Sequence, residues 1–182
     1  MKRLFLLAAI AILAISCQKD PIGSTVAKDV AGEWSVKYNA VNDNGELVDT
    51  DVLGGYSRVL TFNTADEATD KIFIADEEYF LGYHAKISCD FTQKTFGSSD
   101  VLDNLYGNNG YHGPQMIVEN GKIIPGAATT PSGMPADSIY FELTFVGGDY
   151  FTSMYASYGL EFTHYEVGGF RFTGFEGDQD GF

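Results

Sequence analysis

The chain has 182 residues, a formal charge of -14 and a sequence pI near 4.3. That length allows one ordinary domain plus a leader, and a hydrophobic content of 45% is enough to fill a core, which excludes a disordered chain. So acidic a surface repels phosphate backbones and anionic headgroups, which excludes nucleic acid and direct electrostatic docking on a membrane.

Lys2 and Arg3 open the chain, and residues 4–15 form an almost unbroken apolar run. The run is shorter than the about 20 residues that span a bilayer, so residues 1–16 read as a secretion signal. It ends at Ala14-Ile15-Ser16-Cys17, which resembles the lipobox of bacterial lipoproteins, with Ala14 where that motif usually has Leu. The resemblance implies that Cys17 becomes the acylated N-terminus, and that the protein is an outer-membrane lipoprotein facing the periplasm or the cell surface. Several acyl chains at about 0.8 kcal/mol per buried methylene hold firmly where one is marginal. Ordinary signal cleavage is the alternative and would leave Cys17 a free thiol. Gln18-Lys19-Asp20 resembles the short tags that send some Gram-negative lipoproteins to the outer leaflet.

Residues 17–30, with Pro21, Gly23 and Ser24, read as a tether between lipid and domain. From Gly32 the pattern has period two: Trp34, Val36 and Tyr38 alternate with Ser35, Lys37 and Asn39, the mark of a half-buried strand. Tyr56, Arg58, Leu60 and Phe62 continue it, with Arg58 as the interruption. Tyr83, Ala85, Ile87, Cys89 and Phe91 form the next apolar face, and with Cys17 acylated, Cys89 is left as a buried, inert thiol. One segment reads as a helix: Ser99 caps 100–106, with Val101, Leu102 and Leu105 on one side and Gly107 as the stop. It sits in the long connection 96–114, and a second long connection covers 125–137. Ile139, Phe141, Leu143 and Phe145 make another strand face; Leu160 and Phe162, then Phe170 and Phe172, end the series. Phe62, Phe91, Phe141 and Phe145 are expected inside.

Asn44-Gly45, Asn120-Gly121, Gly147-Gly148 and Gly168-Gly169 lie between these runs and suit tight hairpins. Sequential hairpins give an up-and-down antiparallel order, and about eight to ten strands remove their exposed edges by closing into a barrel. The expected fold is therefore an all-β, up-and-down barrel over residues 31–177 with one short helix. Residues 178–182 read as a solvated acidic tail.

Gly32-Glu33-Trp34 at the first strand resembles the Gly-x-Trp signature of lipocalin and calycin barrels. In those barrels the Trp crosses one end and a late Arg lies against it; Arg171, in Phe170-Arg171-Phe172, is the counterpart. The lipobox, the Ala31-Gly32-Glu33-Trp34 entry and the aromatic meander ending in Gly-Phe-Arg-Phe further resemble a family of small lipoproteins. That family is described as lipid-binding putative hydrolases; the resemblance implies a lipocalin-like barrel and lipid binding, and the family's name adds hydrolysis.

The residues themselves offer little catalytic chemistry. His84, His112 and His164 are the three His, and there is no Gly-x-Ser-x-Gly elbow. No His or Cys spacing suits zinc, and Asp178-Gln179-Asp180-Gly181 opens like a calcium loop without its closing Glu, so no metal or cofactor is expected. What remains is aromatic content. Tyr106, Tyr111, Tyr155 and Tyr158, with His112, fall in or near loops and are the candidate ligand-binding residues; Tyr150 is of the same kind. The leading expectation is a non-catalytic protein holding a small apolar or amphipathic ligand in the barrel. Two alternatives stand beside it: a carbohydrate-binding or assembly partner in a surface nutrient-uptake complex, and a weak lipid or ester hydrolase around His112 with Asp100 or Asp103.

Overall fold

The computed structural model describes residues 25–76, 81–107 and 112–178, so Cys17 and Tyr111 lie outside the described residues. Nine strands follow one another: β1 (Gly32–Val41), β2 (Leu47–Asp49), β3 (Ser57–Asn63), β4 (Lys71–Asp76), β5 (His84–Asp90), β6 (Thr95–Asp103), β7 (Gln115–Thr129), β8 (Pro135–Phe145) and β9 (His164–Arg171). One helix, α1 (Tyr150–Ser157), precedes the last strand. Apart from β2, each strand pairs antiparallel with the next, and β9 returns to β1 from Trp34–Arg171 to Val41–His164. β2 pairs only with the end of β1, so eight strands form a closed all-β barrel and β2 is a flap on its rim.

Alternation places Trp34, Val36, Tyr38, Ile72, Ile74, Tyr83, Ile87, Phe141, Leu143 and Tyr165 inside, all fully buried. Their rings meet edge-on, with centroids 6.1 Å apart for Tyr38 and Tyr165 and 6.5 Å for Tyr83 and Phe141. These side chains point toward the barrel axis and belong to one hydrophobic cluster.

One end is sealed around Trp34. Its indole N–H donates to Thr61 Oγ1 at 2.8 Å, and that hydroxyl donates to the carbonyl of Val30 at 2.6 Å. The Arg171 guanidinium lies 4.4 Å from the indole ring and donates to the Ala31 carbonyl and to Asp137. A Cβ at Gly32 would stand 2.2 Å from Arg171 Nη1, so only glycine lets the arginine lie across the tryptophan. A 3-10 turn at Val26–Asp29 completes the seal, with Ala27 and Val30 in the core although their sequence reads as tether.

The same seal explains why the face of β3 is the reverse of the expected one. Ser57, Val59 and Thr61 point inward, leaving Leu60 and Phe62 half-buried on the outer face. Beside Trp34 the interior has room for small residues only, and Thr61 must reach the indole. Phe62 instead stacks on Phe73 at 5.3 Å, and Phe91 is only half-buried beyond the end of β5. In β9, Tyr165 and Val167 face inward, while Phe170 is buried on the outer face against Tyr56. Leu160 is exposed and lies in no strand.

The expected helix at 100–106 is strand as far as Asp103. Leu102 and Asp103 pair with Met116 and Gln115 of β7, and the ladder supplies the hydrogen bonds that an isolated seven-residue helix could not sustain. The helix lies at α1 instead, where Asp149 and Thr152 form a reciprocal capping box. Asp178 is likewise not solvated tail: it is buried and accepts from the Ser132 N–H and the Thr173 hydroxyl, fastening the C-terminus to the β7–β8 turn.

The wall is uneven between β5 and β6. They pair at Cys89–Phe96 and Asp90–Thr95, and meet again only where the Leu105 N–H donates to the His84 carbonyl. Between those points residues 97–104 run beside residues 85–88, so β6 carries excess length and bows away, leaving an unzipped seam. Its register against β7 shifts between Phe96 and Ser98 and again between Ser98 and Leu102.

Candidate functional site

At the foot of that seam the outer wall carries a cavity of about 820 Å3, the size range of small-ligand sites. It forms because the strands there are bent. Gly97 has φ +96° and so close an approach to β7 that a Cβ would stand 2.4 Å from the Val118 carbonyl oxygen. Asn120, at φ +54°, makes the matching kink in β7, where its register against β8 shifts between Glu119 and Lys122.

The lining is amphipathic. Cys89 and Phe96, core residues that are almost wholly buried and paired with each other across β5 and β6, line its floor. Around them stand outer-face groups: Ser88 and Asp90 from β5, Lys122 from β7, Tyr140 and Glu142 from β8, with Asp70 and Asn120 at the margin. Glu142 is fixed from two sides, accepting from the Tyr140 hydroxyl at 3.0 Å and from Asn120 Nδ2 at 2.9 Å. Lys122 Nζ lies 4.7 Å from the centre of the Tyr140 ring. Asp90 accepts from the N–H groups of Thr92 and Gln93, each at 2.9 Å. Burial and the neighbouring Glu142 push the Tyr140 phenol above its ordinary range, so it stays a donor. Burial, then the charge of Asp90, push the Cys89 thiol up to about 11, so it is no nucleophile at neutral pH.

The opposite end from Trp34 holds the loop residues expected to bind ligand, and they do not converge. Tyr106 lies on the outer face, ring to ring with His84 at 5.2 Å. Tyr158 is 78% exposed beyond α1. The Tyr155 hydroxyl donates to Asp49 on the β2 flap, and its ring packs edge-on against Phe162. His112 is buried, with Nδ1 at 3.1 Å from Asn104 Nδ2 and Nε2 against Gly82. Asp100 and Asp103 are exposed on β6, and Asn104, not either acid, holds the imidazole. None of these residues lines the 820 Å3 cavity.

That end has its own buried polar layer. The Tyr38 and Tyr83 hydroxyls are 2.8 Å apart, and the Tyr165 hydroxyl donates to Asp149 at 2.5 Å. Asp76, also buried, accepts the N–H groups of Leu81 and Gly82. Burial first raises all three phenols above the ordinary tyrosine range, followed by Asp76 for Tyr83, Asp149 for Tyr165, and Tyr83 ahead of Asp76 for Tyr38. α1 has no buried residue, so it covers this end without belonging to the core. Among the described residues no group of three or more His, Cys, Asp and Glu is arranged to hold a metal ion.

A closed antiparallel barrel with a Gly-x-Trp entry, a late Arg on the Trp and an amphipathic wall groove defines a calycin-like binding protein. The chain belongs to the family described as "Lipid-binding putative hydrolase", whose pattern matches residues 19–176. A search of curated proteins finds no match.

Proposed function

We propose that this protein is a non-catalytic lipid binder, tethered to the membrane through Cys17, that holds one amphipathic molecule in the groove at the β5–β6 seam. The carrying observation is the groove's lining: apolar Cys89 and Phe96 beneath, polar Ser88, Asp90, Lys122 and Tyr140 around. An acyl chain removes apolar surface from water at about 25 cal/mol per Å2, while its headgroup stays among groups that hydrogen-bond it. Membership of a lipid-binding family supports the same reading.

Ser88 is exposed on the outer face, so Ser88→Trp fills the groove without entering the core. Native mass spectrometry of this variant and the parent, each offered the same monoacyl lipid, tests the site. The reading expects the parent to retain lipid and the variant, with an unchanged circular dichroism spectrum, to lose it; equal retention by both would reject the groove. The tether has a separate test: Cys17→Ser should move the protein from the membrane fraction to the soluble one.

A further inference from the structure

We infer that the lipid carries an uncharged, hydroxyl-bearing headgroup of the glycerol or sugar class, not a carboxylate or phosphate; this rests on the lipid-binding reading above. The groove presents three carboxylates, Asp70, Asp90 and Glu142, against the single cation Lys122. An anionic headgroup placed there meets like charge on most sides, and the whole chain, at -14, adds to the repulsion.

The carboxylates are held as hydrogen-bond acceptors: Glu142 by Tyr140 and Asn120, Asp90 by the N–H groups of its own turn. Each keeps lone pairs for a ligand hydroxyl, which can donate to them and at the same time accept from Lys122. A cationic headgroup would meet Lys122 as a like charge. A hydroxyl-bearing group uses both signs. The ring of Tyr140 adds a flat apolar face that suits the C–H side of a glycerol or sugar unit once Lys122 swings off it, a movement costing little at an exposed site.

The barrel interior gives no refuge to an anion either. The buried charged side chains include Asp76 and Asp149, and among the described residues no Lys or Arg is buried. Lys37 and Lys86 point outward from their strands, and Arg171 is committed to Trp34 and Asp137. Whether the headgroup lies in the wall or at the α1 end, the groups around it reject carboxylate.

Monooleoylglycerol and oleate share one acyl chain and differ only in headgroup, so their equilibrium binding to the full chain carrying Cys17→Ser, at neutral pH, is the test. The expected result is at least about tenfold tighter binding of monooleoylglycerol, a difference of roughly 1.4 kcal/mol, and loss of that binding in Ser88→Trp. The double variant Asp90→Asn, Glu142→Gln should narrow the gap by admitting oleate. Oleate binding as tightly as monooleoylglycerol to the parent would overturn the inference while leaving lipid binding intact. Binding of neither lipid would remove the reading beneath it. Tight binding of monooleoylglycerol that Ser88→Trp leaves unchanged would move the headgroup out of the groove and overturn the argument built on its carboxylates.

Discussion

At the scale of single residues, the sealed end depends on contacts that each need their neighbours. Arg171→Ala removes the cation from the indole face and the bond to the Ala31 carbonyl together. The cation–π contact contributes about 0.5–2 kcal/mol and the hydrogen bond about 1 kcal/mol. We expect urea unfolding to show a loss of about 2 kcal/mol with an unchanged m-value; a change under 0.5 kcal/mol would mean the guanidinium is ornamental. Gly32→Ala should cost a similar amount, because its new methyl displaces the same arginine.

The buried phenols set the alkaline limit. Tyr38, Tyr83 and Tyr165 have folded-state pKa values raised above those of the unfolded chain, where tyrosine ionises near 10. A raised pKa contributes stability that is fully present below about pH 10 and is lost as pH climbs, since the unfolded chain releases its protons first. Stability should therefore be flat with respect to these groups at neutral pH and fall steeply above about pH 10. Absorbance at the phenolate band should show three tyrosines ionising only as tryptophan fluorescence reports unfolding. Smooth titration of every tyrosine in a still-folded chain would contradict the burial of this layer.

Among the elements, α1 and the seam are where the fold is least tied down. Asp149 joins two jobs: it caps α1 through Thr152 and accepts from the Tyr165 hydroxyl inside the barrel. Asp149→Ala loses a cap worth about 1 kcal/mol and strands a buried hydroxyl at about 1–3 kcal/mol. Thr152→Ala loses only part of the cap. The Asp149 variant should melt well below the Thr152 variant; equal melting temperatures would detach the cap from the core. The seam predicts uneven hydrogen exchange, with the amides of Lys86 and Ser88, which face it, exchanging faster than those of 72–74, which lie in a strand paired on both sides. Equal protection in the two segments would mean that β5 and β6 are zipped.

These elements also mark what the sequence made legible. Period-two faces in β1, β5 and β8 were readable because one side is wholly apolar. β3 read backwards because its large side chains lie outside and its small ones inside, a choice dictated by Trp34 from another strand. The segment 100–106 has a cap, an apolar side and a glycine stop, yet pairing with β7 outweighs a single turn's preference. α1 had a local signal in Asp149-Tyr150-Phe151-Thr152, a capping box without a conspicuous apolar stripe. The groove had none, since it arises from excess length in β6 and kinks at Gly97 and Asn120 that only register reveals. The tyrosines in loops drew attention to the opposite end, where α1 lies.

For the molecule as a whole, closure and ligand site are separate matters. Closure is local chemistry at Trp34, Arg171 and the β1–β9 ladder. Room for a ligand comes from the imperfection in the wall, where excess β6 opens a concave surface over two core residues. On the proposed reading, an acidic protein tethered through Cys17 would use such a surface to take up a neutral amphiphile while repelling fatty-acid anions. Hydrogen exchange of the full chain carrying Cys17→Ser, with and without monooleoylglycerol, tests this most directly. Slowed exchange confined to residues 85–90, 95–104, 118–122 and 140–142 is the predicted result; slowing confined to 42–56 and 146–163, or none at all, would contradict it.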